Sequence, residues 1–370
     1  MNSKTNLFDY LAWRGDITCE QDEFNEIDGM ILSRFSYAPF EYVFTPAREK
    51  ASIKSICNGL LRRKKARESV LTPLDVDLFE AMAHSGRFAK LKVGHYVNIF
   101  DDKEQTQFSA MTVEINNSFH VVVYRGTDDT IIGWKESINL GFISPIASQR
   151  HALEYLGKIA ELTEGRLVLA GHSKGGNLAS YAAAFADEKI QNRITDVYNY
   201  DGPGFMDSVL KDKGYQNICD RIHTYVPQGS IVGMLLGHKE KHMVIHSNEN
   251  FMPMQHSLYT WSILGKEFIM EESTTNQSRY LDSTMKKWMG AMDKAKREQL
   301  VECAYSIIAG MDAKTLTDFR NNRFDNFSRI INSMKNLDDE TKQVLNEGIK
   351  LFMKSAREFT CTQCTIFRSS

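Results

Sequence analysis

The residues of this chain best suited to chemistry lie in Arg166–Ala184, RLVLAGHSKGGNLASYAAA. Leu167-Val168-Leu169-Ala170 is an apolar run of strand length. Gly171-His172-Ser173-Lys174-Gly175-Gly176 is a sharp turn, and Asn177 to Phe185 is a helix of small residues. A serine at the tip of such a strand–turn–helix stands clear of its sheet as a nucleophile. Gly171 and Gly175 leave room where strand and helix pack closely. The helix start turns free N–H groups toward a reacting carbonyl, and the residue after the serine, Lys174, gives one N–H to an oxyanion hole. The chemistry implied is acyl transfer through Ser173.

A serine hydroxyl needs a base to react at neutral pH, and sheet strands must bring that base to it. Gln107–Ile115 alternates in polarity and Phe119–Tyr124 is continuously apolar, with Asn116-Asn117-Ser118 as the turn of a hairpin. Tyr96–Phe100 is a further strand, and Ser148–Leu162 is the helix before the strand that carries the turn. Beyond it, Asp196–Tyr200, Arg221–Val226 and His242–Ser247 read as strands. The pattern predicts an α/β-hydrolase fold with a mainly parallel central sheet and a C-terminal helical appendage.

In that fold the order is Ser, acid, His, with the His after the last strand. His223, His238, His242, His246 and His256 all lie downstream. His242 and His246 share one face of a predicted strand, and His238 sits in a Gly-Lys-rich turn. His256 follows the strand and precedes the aromatic-rich Leu258-Tyr259-Thr260-Trp261, so it is the predicted base.

The stretch VVVYRGTDDTIIGW, from Val121 through Trp134, resembles the oxyanion loop of class 3 lipases. The resemblance implies that Thr127 supplies the second oxyanion N–H, opposite Lys174. FNEIDGMILSRFSY from Phe24, DGPGF from Asp201 and QHSLYTW from Gln255 are similar to segments of a bacterial family of uncharacterised class 3 lipase-like hydrolases, across roughly 24–264. Such lipases usually carry the acid near a Val-Pro after the penultimate strand. Here Val226-Pro227-Gln228-Gly229-Ser230 has no carboxylate. Asp201, at the end of the preceding strand, is the best substitute; the other outcome is a Ser–His dyad oriented by Ser230 or a water. The resemblance implies a serine hydrolase acting on small-molecule or lipid acyl esters. A thioesterase, or a non-catalytic adaptor on a degenerate scaffold, stays open.

Composition bounds the rest. The 370 residues suit a lead-in at 1–21, a hydrolase domain at 22–270 and a helical C-terminal domain at 271–370. A net charge of -2 gives no global field for nucleic acid. Six scattered cysteines, no membrane-spanning run and no signal-peptide core suggest a cytoplasmic protein. No cofactor or metal is implied; Cys361 and Cys364 have ligand spacing without a second pair. The most basic stretch, 48–68, holds eight Lys/Arg and an apolar face at Ile53, Ile56, Cys57, Leu60 and Leu61. It reads as a docked helix or as a peripheral membrane contact. The apolar loop Ile231–Leu236 reads as an acyl pocket or lid, and the tail carries further apolar stripes at Met285–Met292 and 324–352.

Overall fold

Strands β4 (Phe119–Tyr124) and β5 (Arg166–His172) show why this sequence makes a sheet covered on both faces. Both are apolar almost throughout and pair in parallel, with Val121 beside Val168 and Val123 beside Ala170. Side chains alternate across a strand. Val121, Val123, Val168 and Ala170 therefore join one buried cluster, while Val122, Tyr124, Leu167 and Leu169 join another on the opposite face. A strand with both faces buried reads as a continuous apolar run rather than an alternating one.

The computed structural model describes residues 5–292 apart from 45–48, 102–103, 105, 129–135, 137–139 and 141–143, together with scattered positions beyond 292. Around β4 and β5 lie β1 (Lys50–Ser52), β2 (Lys92–Asp101), β3 (Thr106–Asn116), β6 (Ile194–Tyr200), β7 (Ile222–Pro227) and β8 (His242–Ile245). They form an eight-stranded sheet in sequence order. β1 to β4 run antiparallel and β4 to β8 run parallel. One face is covered by α1 (Leu7–Arg14), α2 (Glu26–Phe35), α3 (Ile53–Leu61), α4 (Lys64–Glu68) and α5 (Leu74–His84). The other is covered by α6 (Ala147–Leu162) and α7 (Lys174–Phe185). With a strand–turn–helix at the sheet centre, this is an α/β-hydrolase fold.

Within the span read as a lead-in, α1 buries Leu7, Tyr10 and Leu11 in the same core as α2. Asn6 and Asp9 form a reciprocal capping box that starts it. Tyr10 donates to Asp28, whose carboxylate also holds the fully buried Arg87. The basic stretch forms two helices broken at Arg62 and Arg63. Its apolar side, Ile53, Ile56, Cys57 and Leu60, is fully buried in the core. His246 falls outside β8 and pairs with Glu271, so it does not share a strand face with His242.

The chain after 270 joins the sheet's edge loops. The Glu271 N–H donates to the Val244 carbonyl at 2.7 Å, and the Thr275 N–H donates to the Gln228 carbonyl at 2.7 Å. Ser278, in the helix Asn276–Gly290, donates to the Ser230 carbonyl at 2.5 Å. Trp134, the tail stripe at 324–352 (apart from 342–343, 346–347 and 350) and Cys361 and Cys364 lie outside the described residues. No helix among the described residues is long and apolar enough to cross a membrane.

Candidate active site

Ser173 sits between β5 and α7 with φ 58° and ψ -130°. A non-glycine residue held there costs about 1–3 kcal/mol, so the surroundings must enforce it. The Ser173 N–H donates to the Tyr200 carbonyl at 2.9 Å, and the Gly176 N–H returns to the Ser173 carbonyl at 2.9 Å. The turn closes so tightly that a Cβ on Gly171 would stand 2.2 Å from the Gly175 carbonyl carbon, and one on Gly175 would stand 2.1 Å from the Tyr124 carbonyl oxygen. Both positions exclude any side chain.

Asp201 follows directly on β6 with φ 52° and is fully buried. Its Oδ2 lies 2.6 Å from Nδ1 of His256. Its Oδ1 accepts from the Ser230 hydroxyl at 2.5 Å and from the Gly233 N–H at 3.1 Å. Ser230 therefore orients the carboxylate rather than the imidazole. The turn after Asp201 is fixed from below by Asn177, which donates to the carbonyls of Pro203 and Gly204 at 3.1 and 2.9 Å. Asn199 accepts from the Gly202 N–H at 2.9 Å. Five of the six residues Ile231–Leu236 are half-buried and apolar; the sixth, Gly233, supplies the N–H that reaches Asp201.

His256 lies at the end of the short helix Met252–Gln255. The Trp261 indole donates to the Gln255 carbonyl at 2.9 Å, and Gln255 accepts from the Gly229 N–H at 2.7 Å. His172, the residue before the elbow serine, places the loop relative to Ser173. Its Nε2 lies 2.9 Å from the His256 carbonyl oxygen, and the two imidazoles stand 4.5 Å apart. A carbonyl only accepts, so Nε2 of His172 carries the proton and Nδ1 accepts from Tyr37, 3.1 Å away. Burial, reinforced by the neighbouring His256, holds His172 well below the usual histidine range, which keeps it neutral. Replacing His172 by Phe is expected to slow turnover by about 10- to 100-fold, the loss of one buried hydrogen bond of roughly 1–3 kcal/mol. The measurement is kcat on an ester substrate, with the melting temperature as a control for folding.

The loop from Tyr124 to Asp128 lies against the elbow. A Cβ on Gly126 would meet the His172 carbonyl at 2.4 Å and the Ser173 Cβ at 3.2 Å, so only glycine permits this approach. Arg125 fixes the loop by donating from Nη2 to Asn98 at 2.9 Å. Thr127 follows directly and is half-buried. Lys174 begins α7, where the backbone N–H has no intrahelical acceptor. Its side chain turns inward: Nζ donates to the Gln107 carbonyl at 2.6 Å and to Glu136 at 2.7 Å. Burial pushes this ammonium down, and Glu136 opposes that shift. Glu136 also accepts from the Ser148 N–H and hydroxyl at 3.0 and 2.6 Å.

Beneath the Asp201 turn lies a second polar cluster. His238 contacts Glu240 at 2.8 Å, Thr224 donates to Glu240 at 2.7 Å, and Tyr215 donates to its other oxygen. Burial alone would raise the Glu240 carboxyl, but the hydrogen bond and charge of His238, with the hydrogen bonds of Tyr215 and Thr224, together offset it and hold it at about 2. His242 meets His238 edge to face, with ring centroids 4.4 Å apart, and burial, then the charge of His238, brings it to about 4. The unfolded chain takes up a proton at His242 near pH 6.5 while the folded chain resists until about 4. Stability therefore falls as pH drops through that window. Glu240 adds a second loss as pH falls from 4.5 toward 2. Each is worth roughly 3 kcal/mol. Urea midpoints across the acid range are expected to decline from about pH 6.5, and His242→Gln is expected to flatten the upper part of that slope.

Ser173, Asp201, His256, Thr127 and Lys174 all occupy one end of the sheet. His172, Tyr37, Ser230, Gly233 and Glu136 hold them there without a motif of their own. The one sequence signal for His172 was its place beside the serine. A model of the family described as Mbeg1-like matches residues 82–306, a span that takes in all five candidate residues. No curated protein matches the chain. Among solved structures, the chain is similar to one titled "Crystal structure of M37 lipase", with 16% identity over 57% of this chain and 70% of that chain and a TM-score of 0.36.

Proposed function

The chain belongs to the Mbeg1-like family, a lipase-like family, and from that premise we propose that it is a serine hydrolase cleaving acyl esters through an acyl-enzyme. The observation that carries the reading is the 2.6 Å contact between Asp201 and Nδ1 of His256, in a loop held against the elbow of Ser173. With Nδ1–H donating to Asp201, Nε2 is the basic nitrogen. It takes the Ser173 proton as the hydroxyl attacks the ester carbonyl. Negative charge gathers on the carbonyl oxygen, where the N–H groups of Thr127 and Lys174 receive it. The imidazolium, stabilised by Asp201, protonates the leaving alkoxide. It then accepts a proton from water, which attacks the acyl carbon and frees Ser173.

The loop from Ile231 to Leu236 is the proposed wall of the acyl pocket, since the segment that holds Asp201 also presents half-buried apolar side chains. The loop VVVYRGTDD supports placing the chain with class 3 lipases. The reaction is assigned to a reducing, cytoplasmic compartment, a reading supported by the free thiols of Cys19, Cys57 and Cys219. The test is hydrolysis of p-nitrophenyl esters from short to long acyl chains by wild type, Ser173→Ala and His256→Ala. Activity in wild type, lost in both variants, is the expected result. Leu235→Asp is expected to shift the chain-length optimum toward short acids. Wild-type inactivity on every ester would favour the adaptor reading.

A further inference from the structure

The basic surface of α3 and α4 takes no part in this chemistry and lies outside the span that matches the family. With the apolar side of α3 buried in the core, the helix cannot insert into a bilayer by that face. Its outer side borders an open groove of about 490 Å3 lined by Lys54, Arg62 and Arg63 with Ser52, Ser55, Asn58 and Gly59. Among the described residues no carboxylate lines this groove. Arg63 donates to the Gly59 carbonyl at 2.7 Å, a contact that steadies the guanidinium without neutralising it. α4 adds the exposed Lys64, Lys65 and Arg67; among the described residues the ion pair there is Lys64 with Glu68 at 3.6 Å. In a chain of net charge -2 this is a local concentration of positive charge.

The chain that leaves α4 then turns apolar and stays exposed, with Leu71 and Leu74 at 44% and 40%. It leads straight into Asp75, which accepts from Arg34 and from the Tyr259 hydroxyl at 2.6 Å. Tyr259 stands in the loop that carries His256, so the cations and leucines are tied to the catalytic end of the sheet. That loop also shows Phe251 and Met254 to solvent. Cations that meet headgroup phosphates, followed by apolar side chains that reach the acyl boundary, are what an anionic bilayer surface holds.

We propose that α3, α4 and the Leu71–Leu74 turn dock this protein on an anionic lipid bilayer, with Lys54, Arg62 and Arg63 holding headgroup phosphates. The proposal is independent of the acyl-transfer reading, because docking is measured without turnover. The experiment is co-sedimentation of the full chain with vesicles of phosphatidylcholine alone and of phosphatidylcholine with about one quarter phosphatidylserine. Binding to the anionic vesicles alone is expected, falling steeply as salt rises from about 0.05 M to 0.5 M.

The triple variant Lys54→Glu/Arg62→Glu/Arg63→Glu is expected to bind on the order of 100-fold more weakly. Leu71→Ser/Leu74→Ser is expected to remove the salt-resistant remainder. Melting temperature and fluorophosphonate labelling of Ser173 should match wild type in both. If the triple variant fails to fold, Arg62→Gln/Arg63→Gln with a reduced salt slope serves in its place. Equal binding to neutral vesicles, no vesicle binding, unchanged binding by the variants, or binding of inorganic phosphate without vesicles would each overturn the proposal.

Discussion

Asp201→Asn is expected to lower kcat on p-nitrophenyl esters by about 10^3- to 10^4-fold, while the fold is retained. The asparagine keeps an oxygen for the Ser230 hydroxyl and the Gly233 N–H, the two donors that hold Oδ1. What it changes is the atom facing His256. An amide NH2 there donates to Nδ1, which forces the proton onto Nε2. The imidazole then presents a donor to Ser173 where a base is needed. A Ser–His dyad that does not rely on Asp201 would lose less than about tenfold, so the size of the loss separates the two mechanisms. Urea denaturation of the variant checks that the loss is chemical.

Glu136→Ala is expected to cost about 3–5 kcal/mol of stability, because it removes the ion-pair partner of a buried ammonium. The fully buried Lys174 ammonium would lose its ion-pair partner at 2.7 Å and keep the Gln107 oxygens at 2.6 and 3.1 Å, with Asp128 as a weaker opposing charge. Ser148 would lose the acceptor of its N–H as well, and its hydroxyl would keep only the Gln107 carbonyl at 3.1 Å. Lys174 also opens α7, so the disturbance reaches the N–H assigned to the oxyanion. A double variant, Glu136→Leu with Lys174→Met, is expected to recover most of the stability, because it leaves no buried charge alone. Equal loss in single and double variants would show that side-chain volume, not charge, is what matters at this position.

The strands and the elbow were legible because their signals are local. β4 and β5 are apolar runs of strand length, and Gly171 to Gly176 is dense in small residues. Asp201 was legible only as a remaining choice. Its contact with His256 spans 55 positions, and the local sequence marked it only by its place at a strand end before Gly-Pro-Gly. Glu136, 38 positions from Lys174, had no signal at all, since a buried ion pair between distant segments needs both of them in place before it can be read. The N-terminal helix shows the opposite case. Asn6 and Asp9 stand at capping-box spacing, yet the segment is short and its apolar residues sit close to charged ones. Only the tertiary contacts of Leu7, Tyr10 and Leu11 bring it into the core. The basic stretch shows its amphipathic period in sequence, but a period does not say whether protein or lipid covers the apolar side. Here the protein does.

The most direct test is labelling by a fluorophosphonate probe, with the modified residue located by mass spectrometry. Rapid labelling of wild type at Ser173, none in Ser173→Ala, and strongly slowed labelling in His256→Ala and Asp201→Asn is the predicted result. Wild-type protein that stays unlabelled while folded, or labelling that ignores His256 and Asp201, would contradict the account of an activated serine.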